Sequence, residues 1–245
     1  MASNAPSSCC ASGFKHEGTP VGKLETIDGV NTYIGTPSAN KKTDKAVLFL
    51  SDIFGLFNNN KLLVDEYANN GYLTVLPDLF REGQLSTDDM DNGRINIPEW
   101  IKDYQPDNVD PIVAKTIKYM RETLGVKKIA AVGYCFGARY VSRFLKDGQI
   151  DVGYHAHPSG TTHEDLAAIQ GPLSICAAEV DPVFTTQLRH ESEATLAKTG
   201  QAWQINLLSG VVHGFAVRGD PKDPHQKWAK EQAFCQAIAW FERYL

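Results

Sequence analysis

Long hydrophobic runs are missing from this 245-residue sequence. No stretch approaches the roughly 18 consecutive apolar residues of a membrane-spanning helix, and Met1–Ser12 lacks the apolar core of a secretory signal peptide. A strong excess of one charge is missing too. With 24 basic and 29 acidic residues, a net charge of −5 indicates no surface for nucleic acid or an anionic membrane. We therefore expect a cytoplasmic monomer or homodimer whose partner is a small molecule.

Cysteine is scarce, and its distribution argues against a disulfide framework. The five cysteines are Cys9, Cys10, Cys135, Cys176 and Cys235, an odd number with irregular spacing. No pair has zinc-finger spacing. We expect free thiols in a reducing compartment, and neither a metal nor another cofactor. For the adjacent Cys9 and Cys10 three interpretations stay open: a metal clip, a palmitoylation site, or incidental cysteines of a flexible arm, which is the one we favour.

Strands and helices alternate along the chain, whose length suits one α/β domain. This alternation predicts a mostly parallel sheet with helices on both faces. Residues 1–30 have no helical period and predict a loosely structured N-terminal arm, followed by a single domain over 31–245. The predicted strands are Asn31–Thr36 (an edge strand), Ala46–Ser51, Tyr72–Pro77, Lys128–Gly133, Asp151–His155, Pro172–Ala178 and Gln204–Leu208. The predicted helices are Asn60–Asn70, Pro111–Leu124, Phe136–Lys146, Thr185–Lys198 and Pro224–Tyr244.

One segment, residues 78–108, interrupts the alternation. It is polar and irregular apart from an aromatic pair, Trp100 and Tyr104. A long insertion after the C-terminal end of a strand is a common place for substrate contacts in such folds. We therefore predict a lid-like insertion here, with Trp100 and Tyr104 facing a pocket.

The sequence Gly133-Tyr134-Cys135-Phe136-Gly137 joins a predicted strand to a predicted helix. This is the nucleophile-elbow pattern with cysteine in the serine position. So tight a turn leaves no room for Cβ atoms two residues either side of the nucleophile, and it strains the nucleophile's backbone. A helix N-terminus at this point favours thiolate over thiol. We predict that Cys135 is a catalytic nucleophile; the alternative is an inert, buried cysteine in a glycine turn.

A hydrolase elbow requires an acid and then a histidine further along the chain. Asp181 stands shortly after the predicted strand Pro172–Ala178. His213 follows the last predicted strand, on a loop beside Gly214. Their order and positions predict a triad of Cys135, His213 and Asp181.

The predicted oxyanion hole consists of two backbone N–H groups. One belongs to Phe136, directly after the nucleophile, and the other to Ile53, in the loop after Ala46–Ser51. Asp52 would then lie beside the thiol, where a carboxylate opposes thiolate formation. Asp52 is either a loop or helix cap, or a gating acid that keeps the resting Cys135 neutral until substrate arrives.

These residues together resemble the dienelactone hydrolase family, particularly its fungal members, from about Gly18 onward. The shared motifs are Ser51–Gly55 (SDIFG), Leu76–Leu79 (LPDL), the elbow, His157-Pro158 and Val212–Arg218 (VHGFAVR). The resemblance implies an α/β-hydrolase fold and a Cys–Asp–His triad that matches Cys135, Asp181 and His213. It also implies an acid at the position of Asp52, usually Glu, that holds the thiol protonated and swings away when substrate binds. This chain has the shorter Asp.

Arginines bind the substrate carboxylate in bacterial members of that family. Arg218 lies one residue from the place of one of them, because this chain has HGFAVR where those have HSFAR. Arg81 and Arg94 lie in the lid segment, and neither aligns with the second arginine. The residues expected to contact substrate are Phe54, Trp100, Tyr104, Tyr134, His157, Phe215 and Arg218.

The leading functional hypothesis is a hydrolase of small esters, lactones or thioesters that forms a thioacyl enzyme and needs no metal or cofactor. One alternative is a ligand-binding or redox-sensing protein on a hydrolase scaffold, with Cys135 as a contact or an oxidisable thiol. Asp181 and His213 count against it, because a sensor needs neither. A second alternative is a peptidase, although a pocket under a lid suits small molecules better.

Overall fold

One sheet holds the eight strands of this computed structural model, which describes residues 1–11, 13, 15–37, 44–86, 88, 92, 94 and 96–245. The strands are β1 Lys23–Ile27, β2 Val30–Gly35, β3 Lys45–Leu50, β4 Leu73–Pro77, β5 Lys128–Tyr134, β6 Val152–Ala156, β7 Leu173–Val180 and β8 Trp203–Val212. Their order is β1-β2-β4-β3-β5-β6-β7-β8. Strand β2 pairs antiparallel with β1 and with β4. All the other neighbouring strands pair in parallel. The predicted mostly parallel sheet is confirmed.

Helices cover both faces of this sheet. They are α1 Asn58–Asn69, α2 Ile97–Trp100, α3 Pro106–Glu122, α4 Gly137–Phe144, α5 His163–Ala167, α6 Thr186–Leu196, α7 Phe215–Arg218 and α8 Pro224–Tyr244. In β3, Leu48 and Leu50 pack with α3 and α4, whereas Val47 and Phe49 pack with α1 and α8. Both faces of β3 are therefore apolar, which explains its unbroken apolar sequence. Among the residues described, every helix is either too short or too polar to span a bilayer.

The predicted helices all form, and all but the last have shifted ends. The helix predicted to start at Pro111 begins earlier, at Pro106, because that proline occupies the first turn and Pro111 lies inside the helix. The last helix has the predicted bounds, Pro224–Tyr244. Strand β8 runs beyond the predicted Leu208 to Val212, and so brings the chain to the residue before His213.

A strand within residues 1–30 corrects two predictions. Lys23–Ile27 forms β1, which pairs with β2. β2 also pairs with β4, so the predicted edge strand Asn31–Thr36 is an inner strand. The side chains of β1 are almost all exposed. Because neither face of β1 is buried, its sequence KLETI has no need of the alternating apolar and polar residues by which a half-buried strand is recognised.

The first residues of the chain are also held in place. The N–H groups of Ala2 and Ser3 both donate to the Thr161 carbonyl at 2.9 Å. Cys10 lies in a 3-10 turn, Ser8–Ala11, and is fully buried. Backbone hydrogen bonds, which leave no periodic signal in a sequence, hold this stretch. The prediction of a loosely structured arm is wrong here, while the single-domain boundary at residue 31 stays a prediction.

The predicted lid-like segment 78–108 is described except for residues 87, 89–91, 93 and 95, which lie outside the described part. Its first turn is ordered by the Asp78 carboxylate, which accepts the N–H groups of Phe80 at 2.9 Å and Glu82 at 2.7 Å. The Phe80 ring packs against Trp100 and Tyr104, each at a centroid distance of 5.1 Å. The aromatic pair is thus anchored through Phe80 to the body of the protein.

Candidate active site

The turn from β5 to α4 has the geometry of a nucleophile elbow. Cys135 has φ of 51°, in the left-handed region that non-glycine residues rarely adopt. A Cβ on Gly133 would lie 2.5 Å from the Ala138 Cα, and one on Gly137 would overlap the Leu50 carbonyl. Both glycines are therefore required by close backbone contacts. The turn stores strain at Cys135 and fixes its side chain at the C-terminal end of the sheet.

Three predicted residues form a continuous chain of contacts. His213 Nε2 lies 3.2 Å from Cys135 Sγ, and His213 Nδ1 lies 2.9 Å from Asp181 Oδ2. The other oxygen of Asp181 accepts the N–H groups of Val183 at 2.8 Å and Phe184 at 2.9 Å. The carboxylate is thus held rigidly, and it orients the imidazole toward the thiol. The structure brings the side chains of Cys135, His213 and Asp181 together, as the sequence predicted.

The thiol and the imidazole shift one another's pKa. Burial alone would raise the pKa of Cys135, but a hydrogen bond from the Cys10 thiol and the charge of His213 outweigh it and hold this pKa well below its usual value. Burial likewise opposes the charged form of His213, yet the Cys135 thiolate and the hydrogen bond to Asp181 raise the pKa of His213 to about 10. Both shifts favour a thiolate on Cys135 next to an imidazolium on His213.

The two predicted oxyanion donors follow the C-terminal ends of two neighbouring strands, β3 and β5. Leu50 at the end of β3 pairs with Gly133 of β5, so the loop that contains Ile53 begins beside the elbow. Phe136 precedes the first residue of α4. Within the described residues, no hydrogen bond occupies the N–H of Ile53 or that of Phe136. Both donors are available to an oxygen, as an oxyanion hole requires.

Asp52 and Arg218 form a buried ion pair close to the thiol. Arg218 Nη1 donates to Asp52 Oδ2, and both side chains are almost completely buried. The other Asp52 oxygen accepts Asn60 Nδ2 at 2.9 Å and the Phe54 N–H at 3.2 Å. Burial raises the pKa of Asp52, while the Arg218 charge opposes that rise. Asp52 therefore caps its loop, and Arg218 offsets its charge beside the thiol.

Several predicted substrate contacts lie around this pair and the elbow. The guanidinium of Arg218 stands 5.1 Å from the centroid of the Phe54 ring. Trp100 and Tyr104 both donate to the Gly83 carbonyl, at 2.7 and 3.1 Å. Trp100 lies 6.4 Å from the Phe136 ring, next to the elbow. These aromatic side chains lie on the Cys135 side of the sheet.

Tyr134 lies on the other face. Its ring stacks on Phe49 at 5.0 Å, and its hydroxyl lies 3.0 Å from that of Tyr67. Successive residues of a strand point to opposite faces, so the residue before Cys135 enters the core beneath α1 and α8. The prediction that Tyr134 contacts substrate therefore has no support in the structure.

The His157 ring packs against His213, and Phe215 packs against His157. The His157 ring lies 5.0 Å from His213 and 5.7 Å from Phe215, and its backbone has φ of 39°. Neither ring nitrogen of His157 has a hydrogen-bond partner among the described residues. Burial and the charge of His213 lower the pKa of His157 well below its usual value. A neutral ring next to the imidazolium fits these surroundings.

Two further side chains at the site were missed in the sequence. Cys10 Sγ lies 3.3 Å from His213 Nε2, and Ser159 Oγ lies 3.5 Å from Cys135 Sγ. The pKa of Cys10 is raised, first by its contact with Cys135, so Cys10 is a thiol that donates toward the thiolate. The adjacent cysteines were noticeable in the sequence. However, no sequence pattern indicates that Cys10 contacts His213, which lies 203 residues further along the chain.

Comparison with known proteins gives consistent matches. The model of the dienelactone hydrolase family matches residues 30–245. Hydrolase pyvD from Aspergillus violaceofuscus is 46% identical and covers 100% of this chain and 99% of its own. Dienlactone hydrolase 1 from Gibberella moniliformis is 32% identical over 97% of this chain and 93% of its own. A putative dienelactone hydrolase from Klebsiella pneumoniae, 16% identical, superposes with a TM-score of 0.74 over 91% of this chain and 99% of its own, and confirms the α/β-hydrolase fold.

Proposed function

The chain belongs to the dienelactone hydrolase family and is a hydrolase of that type, and we propose that it cleaves small carboxylic esters or lactones with Cys135 as its nucleophile. The observation that carries this proposal is the contact chain at the elbow. His213 Nε2 lies 3.2 Å from the sulfur and Nδ1 lies 2.9 Å from Asp181, all three side chains being buried. A ligand-binding protein would need neither contact.

The first half of the proposed reaction transfers the acyl group to sulfur. The Cys135 thiolate attacks the carbonyl carbon, a C–S bond forms, and the carbonyl electron pair moves onto oxygen. The N–H groups of Ile53 and Phe136 donate to that oxyanion. When the intermediate collapses, the C–O bond breaks and the His213 imidazolium gives its Nε2 proton to the leaving oxygen. In a lactone this oxygen stays tethered to the acyl group.

The second half returns the enzyme to its resting state. His213, now neutral, takes a proton from water, and the resulting hydroxide attacks the thioester carbonyl. Collapse of the second intermediate expels the Cys135 thiolate next to the imidazolium and releases the carboxylic acid. Asp181 holds the imidazole in one orientation through both halves and stabilises its charged form. Cysteine suits activated esters and lactones, because a thiolate forms more readily than an alkoxide.

In our proposal Asp52 influences the charge of the thiol but does not hold the resting Cys135 neutral, because the pKa of Cys135 is already well below its usual value before substrate arrives. Its carboxylate opposes the thiolate electrostatically, and the ion pair with Arg218 offsets that effect. An anionic group on the substrate competes with Asp52 for the guanidinium. Substrate binding and the charge on the thiol are thereby linked. Arg218 is the proposed partner of a substrate carboxylate, and Phe54 lies against its guanidinium.

The proposed substrate is small and partly apolar. Phe80, Trp100, Tyr104 and Phe136 form an aromatic cluster whose ring centroids lie 4.5 to 6.4 Å apart next to the elbow. Aromatic side chains of this kind bind flat, unsaturated rings well. We also propose a cytoplasmic location, because a free thiol at the centre of the site requires a reducing compartment.

Hydrolysis of a p-nitrophenyl ester and of a panel of lactones tests the proposal. Cys135→Ala is expected to abolish turnover, and iodoacetamide to inactivate the wild type in step with labelling of Cys135. Cys235→Ser is the matched control, because Cys235 is the exposed cysteine of α8, and it should keep full turnover. Unchanged hydrolysis by Cys135→Ala would contradict the proposal. Saturable binding of a lactone without turnover by the wild type would favour the ligand-binding alternative.

A further inference from the structure

Cys10 reaches the catalytic residues because the start of the chain docks on the domain. In addition to the bonds at Thr161, the Asn4 N–H donates to the Val183 carbonyl at 2.8 Å. Arg218 Nη2 donates to the carbonyl of Cys10 at 2.9 Å. The Cys10 side chain is fully buried. This cysteine is thus fixed at both its backbone and its thiol, and the proposed hydrolysis does not use it.

Three ligand atoms for a metal ion meet at this point. Cys10 Sγ and Cys135 Sγ lie 3.3 and 3.2 Å from His213 Nε2, and all three atoms lie within 4.8 Å of one another. Zinc binds thiolate at about 2.3 Å and imidazole at about 2.0–2.1 Å. Tetrahedral angles then separate its ligand atoms by roughly 3.5–3.8 Å. Shifts of a few tenths of an ångström in the two distances to nitrogen would make room for an ion.

The surrounding groups complete such a site. A metal-bound histidine usually donates its second ring N–H to a carboxylate, which fixes the ring. His213 has this partner in Asp181, 2.9 Å from Nδ1, and Asp181 is itself held by the N–H groups of Val183 and Phe184. The ligand atom Nε2 is the one that faces the two sulfurs. Two thiolates and one imidazole select zinc and similar thiophilic ions over magnesium or calcium.

We propose that Cys10, Cys135 and His213 form a binding site for a thiophilic divalent cation such as Zn²⁺, which closes the active site reversibly. On binding, the thiol proton of Cys10 and the proton shared by Cys135 and His213 leave to solvent. The ion takes Cys135 Sγ and His213 Nε2 as ligands and so removes both from hydrolysis, a consequence that rests on the proposed function. It also links the start of the chain to the domain.

Binding is tested on the full chain, independently of turnover. The protein is stripped with a chelator and kept reduced by a phosphine, because thiol reductants bind zinc. Equilibrium dialysis against Zn²⁺ is expected to give one ion per chain, and Co²⁺ to give the intense thiolate-to-metal absorption of a tetrahedral site. Cys10→Ser should weaken the Kd for Zn²⁺ at least about 100-fold, more than the loss of an outer partner usually does. Cys235→Ser is the matched control and should bind as the wild type does.

Cys135→Ser is a second ligand variant and should weaken binding to a similar extent. Absence of the thiolate absorption in the wild type would overturn the proposal. So would a Kd for Cys10→Ser equal to that of the wild type, with both proteins folded by circular dichroism. These measurements use no substrate, so they stand even if Cys135→Ala keeps its turnover. If the hydrolase proposal also holds, Zn²⁺ inhibits the wild type in proportion to occupancy, and a chelator restores its activity.

Discussion

Arg218 and Asp52 lie buried against one another, 166 residues apart in sequence, with the Arg218 guanidinium donating to the Asp52 carboxylate. Neither charge has access to water that would screen it. Removing one partner of such a pair leaves the other uncompensated and costs about 3–5 kcal/mol. Arg218→Met is therefore expected to lower the free energy of unfolding by about that amount in urea titrations. The double variant with Asp52→Asn should recover part of the loss, and equal losses in single and double variants would contradict this interaction.

The low pKa of Cys135 predicts an unusual pH dependence for its alkylation. The thiolate exists above this lowered pKa, and His213 keeps its proton up to its own pKa of about 10. The rate of alkylation by iodoacetamide, measured in Cys235→Ser to remove the exposed thiol, should thus already be maximal at neutral pH and fall only in acid. In His213→Gln the midpoint should move up toward about 8.5, the usual value for cysteine. A midpoint near 8.5 in the parent protein would mean that no ion pair exists.

The elbow glycines predict a steric effect that differs from ordinary turn strain. At Gly133 an added Cβ meets the backbone of Ala138 at 2.5 Å, whereas at Gly71 nothing lies within 4 Å although φ is 92°. Gly133→Ala should therefore lower the stability of the protein more than Gly71→Ala. The Gly71 variant has only the backbone strain of a left-handed residue, about 1–2 kcal/mol. Thermal unfolding compares the two variants. Equal shifts in melting temperature would show that the elbow has more room than the structure indicates.

Tyr134 and Trp100 lie on opposite faces of the sheet, so we expect substitution of the first to affect stability and substitution of the second to affect substrate binding. Tyr134→Phe removes a buried hydroxyl contact with Tyr67, so it should cost about 0.5–1.5 kcal/mol of stability and leave KM unchanged. Trp100→Ala, in the cluster beside the elbow, should raise KM for aromatic esters. Steady-state kinetics with urea unfolding separates the effects. A raised KM in Tyr134→Phe would restore this tyrosine as a substrate contact.

The proposed triad could be predicted from the sequence because each of its three residues stands directly after a strand or at the turn that follows one. Parallel strands bring their C-terminal ends to one edge of the sheet, so residues such as Cys135 and His213 meet there. The position of Tyr134 was also open to prediction, since the alternation of strand side chains sends it away from its neighbour Cys135. The contact of Cys10 with His213 was not, because it depends on backbone hydrogen bonds of an irregular segment. Nor does the sequence pattern reveal that Arg218 pairs with Asp52.

In the proposed reaction, Cys135 carries the acyl group of the substrate. The most direct measurement is mass spectrometry of His213→Gln quenched during reaction with a p-nitrophenyl ester, since loss of the base should slow deacylation more than attack by an activated ester. We predict an added mass equal to the acyl group, on the peptide that contains Cys135, and no such mass in the double variant with Cys135→Ala. Hydrolysis that proceeds with the acyl group on another residue, or with turnover unaffected by Cys135→Ala, would contradict it.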